Sequence, residues 1–346
     1  MQLISPDINL DFIGKRWIAL AFSLTLIVIS MVSLVLHGGP DYGVDFAGGT
    51  VIQVRFSEPI SAEKVRSTLG PLGLGSATVQ RFGLEDSEYR IRTDQISEGE
   101  AGPNPDKIRE ALSTATGLGV DIRSVDMVGP QVGRDLREKA LLAMLYALLF
   151  ITVYISGRFE LKWVISAVMA IAIFGAVTAL NVMGWSIPLQ ILAALIVAII
   201  GFVILKLRFA MGAIVALLHD VTITVGVFSL VGKEFNLPTV AAILTIIGYS
   251  LNDTIIVYDR IRENSKKMAR QSLAHIVNRS VNETLSRTIL TSGTTLIVVM
   301  ALYLLGGGVI QDFAFALMVG IGVGTYSSIY IASPILLAWQ KSASKR

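Results

Sequence analysis

The chain contains no cysteine. Disulfide bonds, thiolate nucleophiles and thiolate-held metals are therefore excluded. Histidine is nearly as scarce: His37, His219 and His275 are the only three, and no H-E-x-x-H arrangement exists, so a protein-held metal site is not expected. No G-x-x-x-x-G-K-[ST] run is present either, and no nucleotide site is visible. Charge is sparse: charged residues make up 16% of the 346 positions, and a formal net charge of +3 does not point to nucleic acid. What is abundant is apolar sequence, at 53% of the chain, more than a soluble protein of this length carries. An integral membrane protein is expected.

The first apolar run, Trp17–Leu36, follows Lys15-Arg16. It has the length of a membrane span and no small-residue cleavage site follows, so it is expected to stay as an uncleaved helix. A stretch of ordinary soluble composition, His37–Arg137, comes next. Further apolar runs at 139–156, 163–183, 187–205, 209–231, 238–258, 288–305 and 312–338 bring the expected spans to eight. Basic residues set the orientation. Lys15-Arg16, Arg158 and Lys162, Lys206 and Arg208, the basic 259–287 loop and the tail Lys341, Lys345 and Arg346 all fall on one side. The short loops on the other side are nearly bare, with Lys233 offset by Glu234. Both termini are expected in the cytoplasm, with 37–137 outside.

The outside segment reads as βαββαβ. The pieces are strands at 50–56, 77–83, 89–93 and 121–129, helices at 61–69 (Ser61 as N-cap) and 105–116, and a turn-prone 84–88. That order predicts a small α+β, ferredoxin-like sheet with two helices on one face. It is preceded by "GVDFAGGT" (43–50), where Gly48 and Gly49 suit a tight bend and Asp45 suits local N–H capping, together a structural hinge.

The polar residues inside the spans carry the chemistry. In "GYSLNDTIIVYDRIREN" (248–264), Asn252 and Asp253 precede the charged edge at Asp259-Arg260 and so lie within hydrocarbon, where a carboxylate costs several kcal/mol. The following run, "TLSRTILTSGTTLIVV", sets Thr284, Arg287 or Thr288, Thr291 and Thr294 or Thr295 at steps of three or four. Burial favours a protonated carboxylate and a nearby guanidinium an ionised one, so this pairing suits a group that binds and releases protons. The alternative is that the same residues only glue helices together. His219-Asp220, deeper in its span, is either a second proton-relay station or a local structural hydrogen bond. Gly320, Gly322 and Gly324 beside Ser327 and Ser328 suit close helix packing, and Asp312 suits a helix cap at the outer rim. "YDRIRENSKK" is a basic cytoplasmic helix that anchors the topology or docks a partner or anionic lipid.

"GVDFAGGT", "VGPQVGRDLREKALLAMLYALL", "GYSLNDTIIVYDRIREN", "SRTILTSGTTLIVVMALYLLGG" and "AFALMVGIGVGTYSSIYIASPILL" occur in the order seen in the SecD/SecF protein-export family, and the chain resembles the smaller subunit of that family. The resemblance covers most of the chain outside 160–207. It implies a polytopic helical bundle forming one half of an RND-like machine, with an inserted ferredoxin-like periplasmic domain, in the bacterial inner membrane. It further implies that Asp253 carries protons, with Arg287 as its charge partner and Asn252 and Thr291 nearby. The proton gradient would supply energy without a cofactor, for transport rather than enzymatic chemistry. The implied partners are SecD, the SecYEG channel, YajC, YidC and an unfolded preprotein, with lipid around them.

The expected divisions are 1–36, the periplasmic 37–137, a second membrane helix at 138–160, an inserted pair at 161–207, a core bundle at 208–338 and a tail at 339–346. The family's smaller subunits usually have six membrane segments, so 161–207 is a departure. It holds no charge between Val164 and Leu205, and its two crossings preserve the orientation downstream. A lipid-facing helix pair is expected. A small-molecule or lipid exporter and a purely structural assembly subunit remain open as other readings, as does sodium in place of protons.

Overall fold

The computed structural model describes residues 8–72, 74–75, 77–81, 87–93 and 105–343. Residues 84–86 of the expected turn and 344–346 of the expected tail lie outside them. Among the described residues, eight helices are long and apolar enough to cross a membrane, the number expected. The first, α1 (Arg16–Leu36), leads into a short helix, α2 (Val44–Ala47).

The outside domain then runs β1 (Gly49–Phe56), α3 (Ala62–Leu69), β2 (Thr78–Arg81), β3 (Glu88–Thr93), α4 (Pro105–Thr116) and β4 (Val120–Val128). Ser61 caps α3 by accepting from the Lys64 N–H. The strands form one sheet in the order β2-β3-β1-β4, with every neighbouring pair antiparallel. Alternation puts Ile52, Val54 and Phe56 of β1 and Tyr89 and Ile91 of β3 on the buried face, against Val65 and Leu69 of α3 and Leu112 of α4.

The chain re-enters the membrane region through α5 (Pro130–Glu160). This helix was expected at 138–160 but starts at Pro130, because proline suits a helix's first turn and the polar 130–138 stretch continues it. The inserted pair is α6 (Trp163–Val182) and α7 (Ile187–Ile204), packed mainly along α5. Ile173, Val177, Ala194 and Phe202 are buried, while Val164, Ile171, Val197 and Val203 stay exposed and apolar.

Helices α8 (Arg208–Leu230), α9 (Leu237–Lys267), α10 (Leu273–Leu305) and α11 (Gly308–Ser327) follow. After α11 come a π turn, Ser328–Ala332, and α12 (Ser333–Ala343). The expected 259–287 loop is helical at both ends, with only 268–272 as the turn. Hydropathy ends near Tyr258, but the helices are prolonged by i,i+4 pairs, Lys267–Glu263 at 2.7 Å and Arg279–Glu283 at 2.8 Å. Asn264 then ties them together through Ser280 (3.0 Å) and Glu283 (2.8 Å). The N-terminal strap docks on this hairpin: Asn278 accepts from the Phe12 N–H at 2.9 Å and Asn282 from the Leu10 N–H at 2.8 Å.

Small residues bring the spans together, since lipid offers no hydrophobic drive to do so. Ser30 of α1 sits where a Cβ on Gly226 of α8 would be, and Ser33 and Ser229 share a hydrogen bond of 2.8 Å one turn away. A Cβ on Gly320 would overlap Ile246 of α9, and one on Gly324 would lie 2.8 Å from the Ser250 Cβ. Gly322, expected in the same role, has open space beside it, because it points off the α9 face.

Candidate functional site

The helix that carries Asp253 begins at a well-defined cap. Asn236 accepts from the Thr239 N–H (3.0 Å) and hydroxyl (2.8 Å), and Pro238 fits the first turn. Four turns further on, Asp253 is 1% exposed. Its Oδ2 accepts a long hydrogen bond of 3.3 Å from the Ser292 hydroxyl of α10, and its Oδ1 has no partner among the described residues. Ser292 also lies 2.7 Å from the Thr325 hydroxyl of α11, which donates to the Ile321 carbonyl (2.8 Å). The single Ser292 hydrogen is thus contested between Thr325 and Asp253. A carboxylate held by one shared donor loses little when its protonation state changes.

Asp220, on α8, is the opposite case. It is fully buried, and its Oδ2 accepts from Ser250 of α9 (2.6 Å) and Ser327 of α11 (2.8 Å). Its Oδ1 meets His219 Nδ1 at 2.9 Å. Three helices therefore converge on one carboxylate, and both oxygens are satisfied. His219 Nε2 is buried without a partner among the described residues.

Between these groups runs a hydroxyl seam. Thr254 and Ser328 share a hydrogen bond of 3.0 Å, Ser333 donates to the Ser328 carbonyl (2.9 Å), and Tyr258 donates to the Ala332 carbonyl (3.2 Å). Ser328 and Ala332 lie on the π turn, an irregularity common at functional sites. Gly212 leaves the space that the Tyr258 hydroxyl fills.

The expected polar stripe on α10 does not face this seam as a unit. Thr291 donates to the Arg287 and Thr288 carbonyls (2.9 and 3.0 Å), and Thr294 and Thr295 likewise bond carbonyls of their own helix. Arg287 and Asn252 are exposed on the outer face of α9 and α10. Arg287 makes no ion pair with Asp253 among the described residues. Ser292, Ser250 and Thr325 were not singled out from the sequence. Ser292 lies one residue off the threonine stripe, and nothing local marks it. Ser327 and Ser328 were read as packing residues, and both make hydrogen bonds central to the site. Asp312 is not a cap: it pairs with Lys233 at 2.6 Å, which leaves Glu234 to pair with Arg92 at 3.3 Å. No group of three His, Cys, Asp or Glu gathers among the described residues.

Comparison with known proteins identifies the family. The family described as "Protein export membrane protein SecD/SecF, C-terminal" matches residues 108–206 and 202–342, and the "SecD/SecF GG Motif" matches 34–60. The chain is 44% identical to the protein translocase subunit SecF of Magnetococcus marinus, over 100% of this chain and 97% of that one. To the SecF subunit of Vibrio alginolyticus it is 40% identical, over 97% and 91%. The chain belongs to the SecD/SecF protein-export family. A crystal structure of SecDF from Thermus thermophilus, titled a translocon-associated membrane protein, matches with a TM-score of 0.76 at 33% identity, covering 98% of this chain. SecDF in a "Super-membrane-facing form" matches with a TM-score of 0.63 at 34% identity. The chain spans 40% and 41% of those two SecDF chains. Its SecF relatives are transport components, not recognised enzymes.

The SecD/SecF GG motif region holds the expected tight bend. Gly48 and Gly49 have φ of +81° and +118°, and a Cβ on Gly48 would lie 2.8 Å from the Pro130 Cα, so glycine is required there. Asp45, expected to cap local N–H groups, instead accepts from the Leu237 N–H at 2.9 Å. It completes the N-terminus of α9, the Asp253 helix. Beside it, the Gly43 N–H donates to the Phe235 carbonyl (2.9 Å), the Phe235 N–H donates to the Asp41 carbonyl (2.6 Å), and Tyr42, Phe46 and Phe235 pack as an aromatic cluster.

Proposed function

We propose that this SecD/SecF-family chain passes protons through Asp253 and converts their movement into displacement of the outside domain, assisting late steps of preprotein translocation through SecYEG. The observation that carries the reading is Asp253 itself, a buried carboxylate within a span, held by one shared hydroxyl with its other oxygen unpartnered. Such a group is retained at a cost, and intramembrane ionisable residues mark ion pathways. Arg287 is the charge partner in this reading, reaching Asp253 when α10 shifts against α9. The unequal match to two SecDF structures at nearly equal identity supports a family that adopts more than one arrangement.

The outer face of α9 and α10, with Asn252, Arg287 and Thr294 exposed at membrane level, supports a SecD bundle as its cover. YajC and YidC complete the proposed assembly. The sheet order β2-β3-β1-β4, all antiparallel, supports a ferredoxin-like domain. The distribution of basic residues supports a periplasmic position for that domain and cytoplasmic termini in the bacterial inner membrane. Motion of α9 would reach the domain through the Asp45 cap and the Arg92–Glu234 pair.

The test is proton uptake and gradient-dependent completion of preprotein translocation in proteoliposomes holding the chain with SecD. Asp253→Asn keeps size and hydrogen bonding but cannot exchange a proton. It should assemble normally and lose the gradient-dependent part. Wild-type response from that complex would reduce Asp253 to a packing residue, and a response to sodium alone would replace the proton.

A further inference from the structure

A groove of about 460 Å³ lies where the start of α1 meets the π turn, α12 and the start of α10. Leu20, Ile331, Ile335 and Ala338 form an apolar wall, and Arg16 and Trp17 stand among its lining residues; no acidic residue lines it. Arg16 donates to the Ile13 carbonyl at 2.9 Å and stands 5.7 Å from the centre of the Trp17 ring. It has no carboxylate partner among the described residues, and Lys15 beside it is exposed. Tryptophan at this level marks a membrane interface, and the basic residues make it the cytoplasmic one, where anionic lipids concentrate.

We infer that this groove is a binding site for a phospholipid with an anionic head group, its acyl chain along the apolar wall and its phosphate at Arg16. A peptide is a poor occupant, since its N–H and C=O groups would find almost no partners on this wall. A free phosphate would leave the wall uncovered. An acyl chain needs no hydrogen bonds, and the unpaired guanidinium supplies the charge complement. The occupant would also rest on Tyr330 and Ile331 of the π turn, whose Ser328 bonds Thr254 next to Asp253. Lipid composition would in this way reach the polar seam.

The experiment uses the full chain in phosphatidylethanolamine vesicles, with trace phosphatidylglycerol or trace phosphatidylethanolamine carrying the same photoreactive acyl chain. Crosslinks are mapped after illumination. Labelling of segments 16–20 and 330–338 by phosphatidylglycerol should exceed that by phosphatidylethanolamine about fivefold, the factor one basic residue near an anionic surface supplies. Arg16→Gln should remove that preference. Ile335→Trp, which fills the groove, should abolish labelling of both segments by both lipids while leaving labelling around the exposed Val197 of α7 unchanged. Equal labelling by the two lipids in the wild type, a preference that survives Arg16→Gln, or unchanged labelling in Ile335→Trp would each overturn the proposal.

Discussion

Asp220 and Asp253 are both buried carboxylates inside membrane spans, yet their surroundings differ in kind. Asp220 draws donors from three helices and has both oxygens satisfied. Asp253 has one donor, and that donor is shared. The first is built as a structural node, because the Ser250 hydroxyl and the His219 Nδ1 would be stranded without it. The second is left undercompensated, which supports the proton-carrying role proposed for it. Donor count separates the two.

The largest effect should come from removing the node. Asp220→Leu strands His219 Nδ1 and the Ser250 hydroxyl in a dry interior, at about 1–3 kcal/mol each, so at least about 2 kcal/mol in all. The Ser327 hydroxyl keeps the Gly324 carbonyl at 3.1 Å. Thermal unfolding of the purified chain should show a large fall in Tm for Asp220→Leu and none for Asp253→Leu, since the Ser292 hydroxyl keeps Thr325 as its partner. Equal losses from the two variants would break the contrast.

An intermediate effect is expected from the glycines that let α11 approach the node. Gly320→Ala forces Ile246 to move and should cost about 1–3 kcal/mol by overpacking. Gly322→Ala, with open space beside it, should stay within about 0.5 kcal/mol in the same melt. A neutral Gly320→Ala would show that α9 and α11 are less tightly joined than their contact implies.

The smallest effect concerns the far end of the Asp253 helix. Asp45→Ala removes a cap from the Leu237 N–H and should cost about 1 kcal/mol. Hydrogen exchange should localise that loss to the first turn of α9 and the 41–47 connector. Uniform loss of protection across the outside sheet would instead make Asp45 part of the domain's own fold.

Much of the architecture was legible in the chain as written. The eight spans follow from run length, because a lipid interior admits only helices that satisfy their own backbone. The strand and helix order outside follows from period-two and helical spacing, and Gly48 and Gly49 announced the bend that they make. Helix ends were legible only in part. The basic 258–267 stretch is helical as expected, but α10 starts at Leu273, well before the apolar run at 288, prolonged by charge pairs that hydropathy does not register.

Of the site, Asp253 was found because a carboxylate in an apolar run is conspicuous by itself. Its donor was not, since Ser292 differs from its neighbours only in the direction in which α10 turns it. Asp45 shows the same limit: its composition suggested a local cap, and its partner is Leu237, on the far side of the sheet domain in the chain. Hydropathy, spacing and charge are properties of nearby residues, so sequence alone determined what crosses the membrane and which polar groups had to be accounted for. Which hydroxyl meets which carboxylate depends on the rotation and approach of helices far apart in the chain, and only their packing in three dimensions decides it.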